Sequence, residues 1–516
     1  MDLEEGVGSP TVNSKLIPYH QDPDLESTSY GTNEGENTPP RHRFRIKTVA
    51  YSCGVAIQAW FVYGYSIGYT SPTLSDLDSA NSTYASLHKS VYQDIFSVLL
   101  SVGALLGSLV AGWIVDYAGR KNSLILFSVP SAAGWLMIVF TTFTDGPAFR
   151  PLLFGGRLLV GFSIGYVSLC VPVFVSEISP SAIRGVFIAT SHLFLTSGIF
   201  CAQFIGYFTT YYWLAMIPLG TTCTFVALIV TVKETPRWLV SRGRKVEARQ
   251  NLVWLRGPHY NVDKEIAETE EQLESEEKLT LSDLLNEFKK QHVYYPVFLA
   301  SVIMFFRQFN GTMAIVFYVD EIFKQAHVKS PDLVASLATG AVLIITTCFI
   351  VVVLDIIGRR ILLISSGAVM CLTLISLGTY QYLTNEPYCH PPHDAKCKDH
   401  LYPLAIASMA GYILGFSLGY GAIPFLITSE LVPLRVRGVG VGIATCVNWI
   451  SAIIITGTFK EFEKAVKPWG VSWSFSFLCF LAVLFVAVFI PETKGRSLEQ
   501  IENYFKTKSQ QKKLTT

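Results

Sequence analysis

Apolar residues in this chain come in long blocks rather than in alternation with polar ones. Blocks long enough to cross a bilayer, about 20 residues each, lie near 48–70, 91–115, 122–143, 151–174, 186–209 and 211–232. A second six lie near 294–319, 333–354, 361–383, 402–427, 438–459 and 470–490. Between the two sets, residues 233–292 are dominated by Glu and Lys at helical spacing, which predicts short surface helices in water. Residues 1 to about 40 are acidic, rich in Ser, Thr, Asn, Gly and Pro, and free of apolar runs. That stretch predicts a disordered tail with no cleavable signal peptide.

The two sets of blocks carry matching punctuation. Asp116-Tyr-Ala-Gly119-Arg120 returns as Asp355-Ile-Ile-Gly358-Arg359, and Glu177-Ile-Ser-Pro-Ser-Ala-Ile-Arg184-Gly185 as Glu430-Leu-Val-Pro-Leu-Arg-Val-Arg437-Gly438. Lys233-Glu234-Thr235-Pro236 returns as Pro491-Glu492-Thr493-Lys494, and Gly161-Phe-Ser-Ile-Gly-Tyr166 as Gly415-Phe-Ser-Leu-Gly-Tyr420. Four pairs in the same order imply a duplicated bundle whose halves meet at a central path. The expected fold is therefore an all-α membrane protein of twelve transmembrane helices in two pseudo-symmetric six-helix halves with a cytoplasmic helical linker. The expected divisions are a tail at 1–42, an N-terminal half at 43–232, the linker at 233–292, a C-terminal half at 293–490 and a second tail at 491–516.

Composition agrees with this reading. Half of the 516 residues are hydrophobic and only 15% are charged, at a mean hydropathy of +0.39, which leaves too little polar surface for a soluble fold. The net charge of +1 hides clusters of basic residues at Arg41 to Lys47, Arg120-Lys121, Arg237 to Arg249 and Arg359-Arg360. By the positive-inside rule these loops and both termini face the cytoplasm, and nucleic acid is not an expected partner. Asn81-Ser-Thr83 then faces outside as a glycan acceptor, whereas Asn310-Gly-Thr312 lies within a span and is not one. Cys389 and Cys397 flank an outer polar loop and are spaced for a short disulfide. The neighbouring His390, His393 and His400 are explained by a solvated loop, and neither metal nor cofactor is expected.

Taken together, the motifs resemble the sugar porter family of the major facilitator superfamily, which includes facilitative glucose transporters and insect trehalose transporters. The match runs from about Arg43 to Phe505. It adds Arg157 in Gly156-Arg157-Leu-Leu-Val-Gly161, Lys233-Glu-Thr-Pro-Arg237-Trp238-Leu, and Pro491-Glu-Thr-Lys-Gly-Arg496-Ser-Leu-Glu-Gln-Ile-Glu502. The resemblance implies alternating access between the halves for a small solute, a sugar, in a plasma-membrane protein that works as a monomer among lipids. Asp116, Arg120, Glu177 and Arg184, with Asp355, Arg359, Glu430 and Arg437, form the expected conformational latch. Exposed or half-exposed ion pairs of about 0–1 kcal/mol each can hold one side shut and still break cheaply.

The pocket departs from the family. In the seventh span Gln308 is kept, but Arg307 replaces a first glutamine and Met313 an asparagine. His192 stands where the fifth span usually has glutamine, Ser417 where mammalian glucose carriers have glutamate, and Phe425 in a tryptophan position. Asn448 and Trp449 are kept, while Ala452 occupies a position that is often asparagine. The resemblance thus implies a substrate site of His192, Arg307, Gln308, Ser417, Phe425, Asn448 and Trp449. Arg307 lies near mid-span, where an ionised side chain is costly and usually functional.

An absence bears on energy coupling. Proton-coupled members of the family carry an aspartate in the first span, paired with the arginine of the fourth. Here the segment reads Gly64-Tyr65-Ser66-Ile67-Gly68-Tyr69, with no acid from Val49 to Ser75, and serine cannot carry the proton. The expectation is a passive carrier of a hexose or of trehalose. Carriage of a small organic anion or aromatic solute is the alternative, and a sensor that binds sugar without moving it ranks third. An enzyme is not expected, because no nucleophile, base and orienter fall in one pocket.

Overall fold

The computed structural model describes residues 46–77, 90–144, 148–258, 260–275, 281–319, 322, 340–385, 394–494 and 500–507. Asn81, Cys389 and the side chain of Cys397 fall outside the described residues, as does the N-terminal tail. What is described belongs to one compact unit, residues 44–516.

Nine helical runs among the described residues are long and apolar enough to cross a membrane. One of them, Arg437–Phe489, breaks at Lys467 (φ 64°), immediately before Pro468, and makes two passes. Ile46–Gly68 and Val342–Ile357 complete twelve passes. The first six are Ile46–Gly68, Ser90–Ala118, Arg120–Phe140, Phe149–Ile178, Ser181–Gly206 and Tyr211–Ile229. The seventh is Gln291–Phe309 continued by Thr312–Phe317, the eighth Val342–Ile357 and the ninth Arg359–Asn385. The tenth is Asp394–Leu418 continued by Ile423–Leu431, and the last two lie on either side of Lys467. A helix suits each pass because it satisfies every backbone N–H and C=O without water.

Close approach between spans is built on small residues, as expected where lipid tails provide no hydrophobic drive for helices to associate. A side-chain carbon at Gly64 would stand 1.8 Å from the Leu195 carbonyl oxygen, and one at Gly165 would stand 1.9 Å from that of Ala104. Only glycine admits these crossings, of the first span with the fifth and of the second with the fourth.

The repeated sequence motifs meet in equivalent ways. Gly119 and Gly358 both take positive φ (93° and 103°), turning the chain from the second span into the third and from the eighth into the ninth. Glu234 then accepts the backbone N–H groups of Arg120 and Lys121 at 3.0 Å each, and Glu492 accepts those of Arg359 and Arg360 at 3.1 Å each. Each glutamate supplies the acceptor that a helix start lacks and places negative charge at the positive end of the dipole. Burial pushes the Glu234 carboxyl above its ordinary pKa, while the N–H groups of Thr235, Lys121 and Arg120 pull it back down.

The linker helices are Pro236–Ser241, Lys245–Arg256, Val262–Ser275 and Leu281–Phe288. They do more than coat a surface. Trp238, Leu239, Ala248, Leu252, Val262 and Ile266 form a small core of their own. Arg256, only 7% exposed, donates to the carbonyl of Ile178 at 2.8 Å and pairs with Glu265 at 3.1 Å. The linker is thereby pinned to the end of the fourth span.

Candidate functional site

The seventh span supplies the centre of the site because it is interrupted. Gly311 takes φ 90° in the left-handed region, and Asn310 Oδ1 stabilises the turn by accepting the Thr312 N–H at 3.1 Å and hydroxyl at 2.6 Å. Tyr412 of the tenth span donates to the Asn310 carbonyl at 3.1 Å. Asn310 is 2% exposed, in accord with the reading that its sequon is not a glycan acceptor. Arg307 and Gln308 occupy the last turn before this break, and both donate to the same oxygen. Arg307 Nη1 lies 3.1 Å and Gln308 Nε2 3.0 Å from Asn448 Oδ1 of the eleventh span.

The three polar side chains are enclosed by rings. The Arg307 guanidinium carbon lies 4.8 Å from the centroid of Phe425 and 6.0 Å from that of Phe416. These phenylalanines stand on either side of the Leu418–Ile423 interruption of the tenth span. Trp449, next to Asn448, is 3% exposed and approaches Tyr63 of the first span at 6.5 Å between centroids. His192 of the fifth span turns its Nε2 toward Gly421, where a side-chain carbon would stand 3.3 Å away. Of the seven residues expected from sequence, the structure joins Arg307, Gln308 and Asn448 by hydrogen bonds and brings Phe425 onto the arginine. Trp449 and His192 lie on contacts between the halves. Ser417 uses its hydroxyl on the Ile413 carbonyl of its own helix, 2.9 Å away, and no described hydrogen bond ties it to the other six.

Tyr63 and Phe416 join the site without having been singled out in sequence. Neither carries a motif, because aromatic residues are frequent in every span and only packing distinguishes these two.

Arg307 has no carboxylate partner among the described residues. An ionised arginine near mid-bilayer costs at least about 2.5–3.5 kcal/mol. The dipole at the end of its helical segment returns about 0.3–1 kcal/mol, and a desolvated ring contact about 2 kcal/mol. These terms bring the guanidinium close to balance but do not complete its hydrogen bonds. Arg307 is 9% exposed and Gln308 fully buried. Arg307 Nε and Gln308 Oε1 are both buried without a partner among the described residues.

Arg157, the other arginine deep in the bundle, is fully buried. It donates to the Ser66 carbonyl at 3.1 Å and to the Thr70 hydroxyl, and its guanidinium carbon lies 4.5 Å from the Phe96 centroid. The backbone of Ser66 thus takes the place of the missing first-span carboxylate, and the Ser66 hydroxyl is spent on the Val62 carbonyl at 2.6 Å.

Among the described residues, contacts that bind one half to the other include several from mid-depth to the end remote from the linker. Tyr318 donates to Asp94 or Ser97, each 3.3 Å away, Gly457 meets Val98, and Gly340 meets Phe200. At the linker end the ion pairs join residues of the same half. Arg120 reaches Glu177 at 2.9 Å and Asp116 at 3.3 Å, while Arg359 lies 3.7 Å from Glu430. Arg184 is exposed, Arg437 faces Glu502, and the side chain of Asp355 is outside the described residues. These three pairs, Arg120 with Glu177 and Asp116 and Arg359 with Glu430, each lie within one half.

A twelve-pass helical bundle in two similar halves, with a buried polar cluster between them at mid-depth, is the architecture of a membrane carrier. The chain belongs to the family described as sugar (and other) transporter, whose sequence pattern matches residues 52–505. It is 32% identical over 501 residues to the facilitated trehalose transporter Tret1 of Apis mellifera ligustica, covering 96% of this chain and 94% of that protein. It is also 32% identical over 456 residues to facilitated glucose transporter member 8 of solute carrier family 2 from Mus musculus, covering 86% of this chain and 91% of the relative. Among solved structures, the proton:xylose symporter XylE bound to 6-bromo-6-deoxy-D-glucose superposes with a TM-score of 0.72 at 21% identity, over 89% of this chain and 99% of that one. At that identity the likeness speaks to the fold, and the twelve-helix major facilitator architecture expected from the sequence is the one observed.

Proposed function

We propose that this protein carries a sugar of the hexose or trehalose class passively across the plasma membrane, by alternating access between halves at 43–232 and 293–490, with both termini and the 233–292 linker in the cytoplasm. The observation that carries the reading is the pairing of unsatisfied atoms at the centre. Gln308 Oε1 can accept from a hydroxyl and Arg307 Nε can donate to one, beside the apolar faces of Trp449, Tyr63 and Phe425. A solute with a hydroxyl on nearly every carbon and a flat ring face supplies both kinds of partner. The names of the trehalose- and glucose-transporting relatives point to the same cargo.

The passive mode follows from Arg157. With Ser66 and Thr70 holding it, no titratable acid of the first span stands beside it to be neutralised and reionised. In purified liposomes a labelled sugar equilibrates without accumulating when a proton gradient is imposed. Uphill uptake that collapses on adding a protonophore would refute the passive reading. The latch residues Asp116, Arg120, Glu177 and Arg184, with Asp355, Arg359, Glu430 and Arg437, exchange partners across the midline when the linker end closes. The carrier works as a monomer, with Asn81 glycosylated and Cys389 bonded to Cys397 on the outer face. A second reading, a carrier of small organic anions, is favoured by the permanent charge of Arg307.

A further inference from the structure

We propose that the preferred cargo is the carboxylate form of a sugar, an aldonate or uronate, with its carboxylate on Arg307 and a neighbouring hydroxyl on Gln308. The proposal rests on the sugar-carrier reading and narrows it. Arg307 and Gln308 are adjacent in sequence and both reach Asn448 Oδ1, at 3.1 and 3.0 Å, so their remaining polar atoms lie close together. Those atoms differ in kind. Arg307 Nε is a donor on a cation and Gln308 Oε1 a neutral acceptor, and both are buried with no partner among the described residues.

A neutral sugar satisfies the acceptor but leaves the guanidinium charge uncancelled in a site walled by Phe425 and Phe416. A simple carboxylate satisfies the guanidinium but has no hydroxyl to donate to Gln308. A hydroxy acid meets both at once. One guanidinium also matches one negative charge, so a sugar phosphate, carrying close to two at neutral pH, would leave a surplus that no other described arginine or lysine joins the site to neutralise. Arginine suits the role better than lysine because its planar fork binds a carboxylate through two parallel hydrogen bonds. The low local dielectric left by the rings strengthens that contact. Transport then becomes electrogenic, since the empty site carries the arginine's charge and the loaded site does not.

The test uses the full chain in liposomes with two tracers, labelled glucose and labelled glucuronate. Competitors are unlabelled glucose, glucuronate, its neutral methyl ester, and acetate. Glucuronate is expected to compete at a concentration at least about tenfold below that of its ester or of glucose, equivalent to about 1.4 kcal/mol. Acetate should not compete, and glucuronate uptake should follow an imposed potassium-diffusion potential. In Arg307→Gln the preference for the acid over its ester should fall to within about twofold, read as a ratio on whichever tracer still moves. Arg307→Lys, which keeps the charge and loses the fork, should keep only part of the preference. If Arg307→Gln does not fold, as judged by its melting in detergent, the wild-type ratio of acid to ester decides by itself.

Equal competition by glucuronate and its ester, or a preference that survives Arg307→Gln, overturns the proposal and leaves the sugar carrier standing. Uptake of acetate without uptake of either sugar tracer removes the sugar reading, and the proposal with it. A preparation in which neither tracer moves also counts against both.

Discussion

Arg157 and Arg307 are the same residue in similar settings, buried deep in a bundle, touching aromatic rings and lacking a described carboxylate. Their partners differ. Arg157 is held by the Ser66 backbone carbonyl of the first span and by the Thr70 hydroxyl just beyond it. Arg307 is held by a single amide oxygen that it shares with Gln308, and the unpartnered acceptor of Gln308 stands next to it. The comparison shows that burial and missing countercharge do not by themselves mark a ligand site. An arginine tied to the backbone braces the scaffold, whereas one tied to a shared side chain beside an unsatisfied acceptor is arranged for something that arrives.

The contrast breaks first at stability. Arg157→Leu should destabilise the protein by about 3 kcal/mol, since it removes a buried network and strands the Ser66 carbonyl and Thr70 hydroxyl. Arg307→Gln should cost less than about 1 kcal/mol by the same melting measurement in detergent, because it removes a costly buried charge and Gln308 still donates to Asn448. Equal losses in the two variants would end the distinction between brace and site.

A large effect on transport is expected at the shared oxygen. Asn448→Leu removes the acceptor from two buried donors at about 1–1.5 kcal/mol each, so initial uptake rates at low solute should fall by about 50-fold with surface expression maintained. Unchanged kinetics would remove Asn448 from the site. Trp449→Ala should raise KM by about tenfold with a smaller change in maximal rate, since it takes away a flat apolar face worth about 1 kcal/mol or more. A change confined to maximal rate would reassign Trp449 to the movement of the halves.

The smallest effect belongs to the latch, where ion pairs at half-exposed positions contribute about 0–1 kcal/mol. Glu430→Ala should shift cysteine-labelling accessibility at the linker end by up to about fivefold and slow exchange without abolishing binding. In the described conformation Glu430 lies beside Arg359 of its own half, so the shift is expected only if partners change when that end closes. An unaltered labelling pattern would leave these pairs with a structural role alone.

Much of the fold was legible in the chain, and the reason is visible in particular elements. Water is excluded from the bilayer, so each pass must be long, apolar and helical, and the blocks at 91–115 and 151–174 matched Ser90–Ala118 and Phe149–Ile178 closely. The duplication was equally plain, and Gly119 with Glu234 is reproduced by Gly358 with Glu492 because both helix starts need the same missing acceptor. Legibility faded where a role depends on direction. The turn between the spans near 438–459 and 470–490 falls at Lys467 with positive φ, a conformation that only the following Pro468 hints at in the chain. The polar linker helices proved to have a core of their own.

Within the site, sequence alone determined which residue types were present: an arginine near mid-span in place of a glutamine, a retained glutamine beside it, and no acid in the first span. Only the tertiary structure decided that Arg307 and Gln308 converge on Asn448, 141 and 140 residues away, that Phe425 covers the guanidinium, and that Ser417 turns back onto its own helix. Hydrophobic length and repeated motifs are written along one dimension and can be read from it. A hydrogen bond requires distance and direction to within a fraction of an ångström, and the packing of helices far apart in the chain sets both.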